Sequence, residues 1–236
     1  MPVYDLLRDA IYRVCARDHS VTLLKFTKTC YDSFMDFEHD RDDDDSDDDD
    51  DVNSIARDNL ELLRGHVLGE DSWYETLAQM IARLPSLKHL AFEELDPEKE
   101  ELMRFWVEIR GSRSIRTIEC IKMDMTHAEE FLIWFAEGNV KTVVFRQCII
   151  GVLIGDCLSD GIQEARSCHI TFDECDFSVL DGHESLTEFA EGLGRIDGLK
   201  SVVFRQCQFS NEKTGKLIEL IFVEEVPRGF KVLFLT

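Results

Sequence analysis

The segment KTVVFRQC at 141–148 returns as KSVVFRQC at 200–207, and no other feature limits so sharply what this 236-residue chain can fold into. FAEG at 135–138 also returns, at 189–192. The offset between the longer copies is one long unit or two units of about 29. The stretch SCHITFDECDF at 167–177 decides for two, because it lies between the copies with the same apolar spacing.

As a template the unit reads L-x-x-L-x-F-x-x-C-x-F. Leu199, Val202, Phe204, Cys207 and Phe209 fit it, as do Val140, Val143, Phe145, Cys148 and Ile150. Ser167, Ile170, Phe172, Cys175 and Phe177 fit with serine in the first slot, and Ile115, Ile118, Cys120, Met123 and Met125 fit upstream. Leu87, Leu90, Phe92 and Leu95 fill the first four slots. Leu60 and Leu63 open a degenerate copy, and Phe230, Leu233 and Leu235 begin one that is not completed. The starts therefore fall at 60, 87, 115, 140, 167, 199 and 230, a nearly regular series. An earlier start at Val21, with Leu24 and Phe26, stands more than one period before Leu60. Removing about twelve residues of acidic run restores the usual period. The run at about 38–52 is therefore expected as an insertion in a repeat connection.

Alternation with period two over the central slots predicts a strand with one buried face. A helix is expected after it in each unit. THAEEFLIWFAEG at 126–138 has Thr126 as N-cap and Gly138 as stop, and SWYETLAQMIARLP at 72–85 ends on a proline. The extra residues at 193–197 are expected to lengthen a helix-to-strand loop. Residues 1–20 are expected to form a helical cap, with Tyr4, Leu7, Ile11 and Val14 on one face, and 21–236 the repeat domain.

The pattern resembles the leucine-rich-repeat family, in its ribonuclease-inhibitor-like subtype, over about residues 20–236. Five good tandem copies with the cysteine slot carry the resemblance, with Phe replacing Leu in the third slot of most. It implies an α/β solenoid, a horseshoe with a parallel inner sheet of seven or eight strands and outer helices. It further implies a protein–protein interaction module, a scaffold or subunit of a larger assembly that binds its partner through the concave sheet face. Alternatives are a regulator or inhibitor of an enzyme or GTPase, a ubiquitin-ligase substrate receptor, and an acidic chaperone of basic proteins such as histones. Against the receptor, the N-terminal segment lacks an L-P-x-E-like opening.

The resemblance implies that residues between the buried slots face the concave side. Arg146, Asp173 and Arg205 then share one column, and Val144, Thr171, Val203 and Phe234 the next. His89, Thr117, Thr142, His169 and Ser201 form a third. Strands about 4.8 Å apart make the first column an Arg–Asp–Arg ladder. It is either internal charge pairing, worth about 0–1 kcal/mol per exposed pair, or a patch that reads an acidic or polar segment of a partner. Cys148, Cys175 and Cys207 recur where a small side chain fits the turn after the strand. Cysteines one repeat apart lack the clustered, paired ligands of a zinc site, so no metal or cofactor is expected. No phosphate loop, H-E-x-x-H or G-x-S-x-G occurs, and G-x-G-x-x-x-G at 192–198 is one residue too long for a dinucleotide fingerprint, so no catalytic residue is proposed.

Net charge is −22, and residues 36–51 supply half of it with twelve acids and one arginine. Such a field repels nucleic acid and anionic membranes and favours basic protein partners. Asp42, Asp43, Asp44, Asp45, Asp47, Asp48, Asp49, Asp50 and Asp51 form the run itself. Its bland reading is a disordered solvated loop, and its functional reading is capture of a basic tail. Ser46, within it, is a candidate phosphorylation site for an acid-directed kinase. FKVLFLT at the end of the sequence is an apolar strand with no polar cap, so a non-repeating element or a subunit of a complex is expected to cover it. No apolar run is long enough to cross a bilayer, and charges interrupt the N-terminal segment as a secretory signal. Eight cysteines without such a signal suit reduced thiols in the cytosol or nucleus.

Overall fold

The computed structural model describes residues 21–27, 73–97, 100–109, 112–128, 140–152, 168–180, 182–196, 198–210 and 231–235, with single positions at 14, 154, 216, 218, 221 and 222. The elements run β1 (Leu23–Thr27), α1 (Trp73–Ala82), β2 (His89–Glu93), α2 (Glu100–Ile109), β3 (Thr117–Ile121) and β4 (Asp124–Met125). Then come β5 (Thr142–Arg146), β6 (Ile149–Ile150), β7 (Cys168–Asp173), α3 (His183–Gly194), β8 (Leu199–Arg205) and β9 (Lys231–Leu235). Together they make a mixed α/β structure around one parallel seven-stranded sheet, in the order β1-β2-β3-β5-β7-β8-β9. Strands thus sit in the sheet in the order of the chain. The short β4 and β6 pair separately, and Asp176 and Gln208 extend that second ladder by single bridges.

The repeat slots explain the core. Leu24, Leu90, Ile118, Val143, Ile170, Val202 and Val232 lie in one register row, and Phe26, Phe92, Cys120, Phe145, Phe172, Phe204 and Phe234 in the next but one. In-register parallel pairing places equivalent rings one strand spacing apart, where offset stacking is favourable. Ring centroids are 5.8 Å apart for Phe26–Phe92, 5.3 Å for both Phe145–Phe172 and Phe172–Phe204, and 4.8 Å for Phe204–Phe234. The fifth slot repeats the device, with Phe177 stacked on Phe209 at 5.2 Å. The helices close this face. Leu77, Ala78 and Ile81 of α1, Phe105 and Ile109 of α2, and Leu186, Phe189, Ala190 and Leu193 of α3 are buried in the same cluster, at helical spacing.

Successive units approach backbone to backbone. A Cβ on Gly151 would lie 2.7 Å from both Cα and O of Thr126, in the preceding unit, so only glycine fits there. Gly182, at φ 104°, turns the chain into α3.

Three expectations are corrected. First, β1 pairs directly with β2, Leu24 against Leu90, so the copy expected at Leu60 has no strand between them. The first step of the repeat within the sheet therefore runs from Val21 to Leu87, and residues 28–72, with Leu60 and Leu63 among them, lie outside the described residues. Second, the extra residues at 193–197 do not simply lengthen a loop. Helix α3 continues through Gly194, with Leu193 fully buried, and a register shift between Cys168 and His169 absorbs a residue in β8. Third, β9 is shifted by one position. Val232 and Phe234, not Leu233 and Leu235, occupy the core slots. Several expectations lie outside the described residues: the acidic run 42–51 with Ser46, the helix at 126–138 beyond its first three residues, and the segment 1–16 apart from Val14, which is helical and buried.

Candidate recognition face

The second face of the sheet carries the side chains between the core slots. Its columns follow from the register. Arg146, Asp173 and Arg205 align on β5, β7 and β8, with Leu235 next on β9. Val144, Thr171 and Val203 align as expected, but Leu233 completes that column where Phe234 was expected. Phe234 instead turns to the core and stacks on Phe204. His89, Thr117, Thr142, His169 and Ser201 also share a column, which Lys231 extends.

The ladder forms, and it is larger than the sequence indicated. Arg146 Nε and Arg205 Nη1 each stand 3.6 Å from the same oxygen, Asp173 Oδ2. The Asp173 side chain is only 12% exposed, whereas Arg146 and Arg205 are 48% and 50% exposed. Arg146 Nη2 also pairs with Glu119 Oε1 at 3.1 Å. This link is diagonal, because Ile121 holds the Arg146 register position on β3. His89 Nε2 comes within 3.2 Å of Glu119 Oε2 but makes no hydrogen bond there. A second group lies nearer β1. Lys25 Nζ meets Glu93 Oε2 at 2.6 Å, and Lys122 Nζ meets Glu94 Oε1 at 3.0 Å and Glu93 Oε1 at 3.5 Å. The hydrogen bond from Lys25 holds the Glu93 carboxyl below its ordinary range, and the hydrogen bond to Glu94 raises the Lys122 ammonium. Toward the other edge the face becomes apolar. Val203 is half-buried, and Leu233 and Leu235 are 48% and 44% exposed.

A regular feature at the strand ends escaped the sequence reading. Glu94, Lys122, Gln147, Glu174 and Gln206 each follow the last residue of a strand, and all have positive φ, between 50° and 58°. Each N–H donates to the next strand, to the carbonyls of Ile121, Arg146, Asp173, Arg205 and Leu235, at 2.8–3.0 Å. The left-handed residue thus turns the chain while keeping the ladder paired across units. The signal available was position alone, since none of these residues is glycine or asparagine.

The cysteine slot follows one residue later. Cys148 Sγ donates to Cys120 O at 3.3 Å, Cys175 Sγ to Phe145 O at 3.2 Å and Cys207 Sγ to Phe172 O at 3.4 Å. Each thiol therefore reaches the third-slot carbonyl of the unit before it. Burial pushes Cys148 and Cys207 up to about 11 and Cys168 to about 12, and raises Cys120 and Cys175 well above the ordinary thiol value. Thiols held protonated in this way are poor nucleophiles and poor metal ligands. Among the described residues no group of three His, Cys, Asp or Glu side chains is placed to hold a metal ion.

On the sheet face, one pair has the spacing of a nucleophile and base: His169 Nδ1 and Ser201 Oγ, 2.8 Å apart on adjacent strands. Among the described residues no carboxylate bonds the other ring nitrogen, which a triad needs to orient the imidazole. The pair is a cross-strand hydrogen bond within the third column. No described helix is long and apolar enough to cross a membrane. Comparison with family models, with curated proteins and with solved structures found no match to this chain.

Proposed function

We propose that this chain is a protein-recognition module of the leucine-rich-repeat type, a solenoid whose exposed sheet face binds a partner protein. The supporting observation is that face itself. It joins six strands through ion pairs from Lys25 to Arg205 and ends in exposed Leu233 and Leu235 beside half-exposed guanidiniums. Arginine anchors beside apolar area are common in protein interface cores. The chain-ordered parallel strands, stacked aromatic slots and repeated left-handed turns support the solenoid. Scaffold or subunit is the role this arrangement suits best.

The test is affinity capture with mass spectrometry at moderate salt, comparing three chains: intact, lacking 42–51, and Arg146→Glu/Arg205→Glu. The expected result is a stoichiometric partner that survives the deletion and is lost with the double substitution. A set of basic proteins lost only with the deletion would transfer the function to the acidic run and overturn the reading.

A further inference from the structure

Resting on that reading of the sheet face, we infer that the partner supplies an acidic segment, a carboxylate flanked by apolar side chains, and that it docks at the β8–β9 end. Charge on this face is segregated. Within the strands, β1 to β3 carry Lys25, His89, Glu93 and Glu119, whereas β5 to β9 carry Arg146, His169, Arg205 and Lys231 against Asp173, with Glu174 at the strand end beyond it. The basic end is a local reversal of sign on a chain of net charge −22.

Among the described residues the Arg205 guanidinium is under-satisfied. Arg146 and Arg205 each stand 3.6 Å from the one Asp173 oxygen, beyond hydrogen-bond distance. Arg146 has Glu119 as a second partner at 3.1 Å. Among the described residues Arg205 has no other ion pair, and Lys231 has none. A guanidinium carries its N–H donors in a planar fork that matches a carboxylate. Toward β9 the surface beside Arg205 is apolar, with Val203, Leu233 and Leu235, while Asp173 and Glu174 lie on its β7 side. A basic segment would set cation against cation here. A purely apolar one would cover the guanidinium and leave its donors without acceptors. A second copy of this chain would bring the same basic patch, and a net −22 against a net −22. An acidic and apolar segment of a different protein satisfies both parts of the patch.

A displayed library of random peptides, selected against the full chain at physiological salt, tests this. Selected peptides are then titrated against wild type, Arg205→Gln and Val203→Trp, the last as a steric block of the face. Both positions face solvent or are half-buried, and matched thermal unfolding identifies variants that remain folded. The expected result is enrichment of Asp or Glu beside Leu, Ile, Val or Phe, with binding weakened about tenfold or more by Arg205→Gln and by Val203→Trp. Peptides that Val203→Trp blocks but that lack an acid, or that bind Arg205→Gln as well as wild type, overturn the acidic segment and leave recognition by this face standing. Peptides indifferent to both substitutions overturn the face as well. A library that yields no binder overturns the inference, since a linear segment is what it claims.

Discussion

A cysteine buried against a backbone carbonyl holds its proton more tightly than the same cysteine in an unfolded chain. Cys148 rises from its ordinary value of 9.0 to about 11 for this reason, chiefly by burial. Below pH 9 both states are protonated and the stabilisation is fully present. As pH rises further, the unfolded chain ionises first, so stability falls until pH passes about 11 for Cys148 and Cys207 and about 12 for Cys168. Each pH unit in that window costs up to about 1.4 kcal/mol per thiol. Urea midpoints of Cys148→Ala should therefore decline less steeply above pH 9 than those of wild type; parallel slopes would refute the burial account. The left-handed position after each strand makes a second residue-scale prediction. Gln206, at φ 50°, makes no side-chain hydrogen bond among the described residues. Gln206→Gly should be neutral or stabilise by up to about 1 kcal/mol, and Gln206→Val should destabilise by about 1–2 kcal/mol, because a β-branched side chain resists positive φ. Thermal unfolding of the pair checks it, and a more stable valine variant would contradict it. These positions were illegible in the sequence for a physical reason. Glu, Lys, Gln, Glu and Gln share no turn chemistry, and only the hydrogen bond to the next strand selects their conformation. Glu119 was missed because Arg146 reaches it diagonally, a contact that column counting does not show.

At the scale of the element, legibility tracked how strongly one phase of a strand differs from the other. In β5, β7 and β8 the core slots are apolar and the alternate positions include Thr, Arg, Asp or Ser, so the register was readable and the Arg–Asp–Arg column formed as expected. In β9, KVLFL is apolar in both phases after its opening lysine, and a one-residue slip changes the apolar pattern little. The aromatic stack decides it: Phe234 lies 4.8 Å from Phe204 with nearly parallel rings, while Leu233 and Leu235 remain exposed. Phe234→Ala should thus cost about 2 kcal/mol or more, whereas Leu235→Ser should stay within about 0.5 kcal/mol. Denaturant unfolding of the two variants separates the registers, since the slipped one predicts the reverse order. The copy at Leu60 failed differently. Two leucines at the right spacing satisfied the opening slots, and a plausible excision of acids restored the period, but the direct β1–β2 pairing leaves that copy no place between them. Two slots of a five-slot template are too few to specify a strand.

For the molecule as a whole, the charge balance is the feature whose consequence is largest and most open to measurement. The run at 42–51 contains nine aspartates of a net −22, so its removal leaves −13. Like charges on one compact body repel, and unfolding relieves that repulsion by spreading them apart. Salt screens the effect, with a Debye length of about 10 Å at 0.1 M. The intact chain should therefore gain stability as salt rises from low to moderate concentration, and the chain lacking 42–51 should gain less. Deletion should also raise the unfolding midpoint at low salt while changing it little at high salt. A neutral stabilising salt series on both chains, followed by circular dichroism, measures the difference between the two slopes and so cancels any effect of salt on apolar burial common to both. Equal slopes would mean that the run repels little beyond itself, and that the acids of the folded surface set the salt response. The sheet face gives reason to expect the first outcome. Its carboxylates are already compensated, Glu93 by Lys25 and Lys122, Glu119 by Arg146, and Asp173 by two arginines. A folded face with its charges paired contributes little net repulsion, which leaves the nine aspartates of 42–51 as the densest block of like charge in the chain.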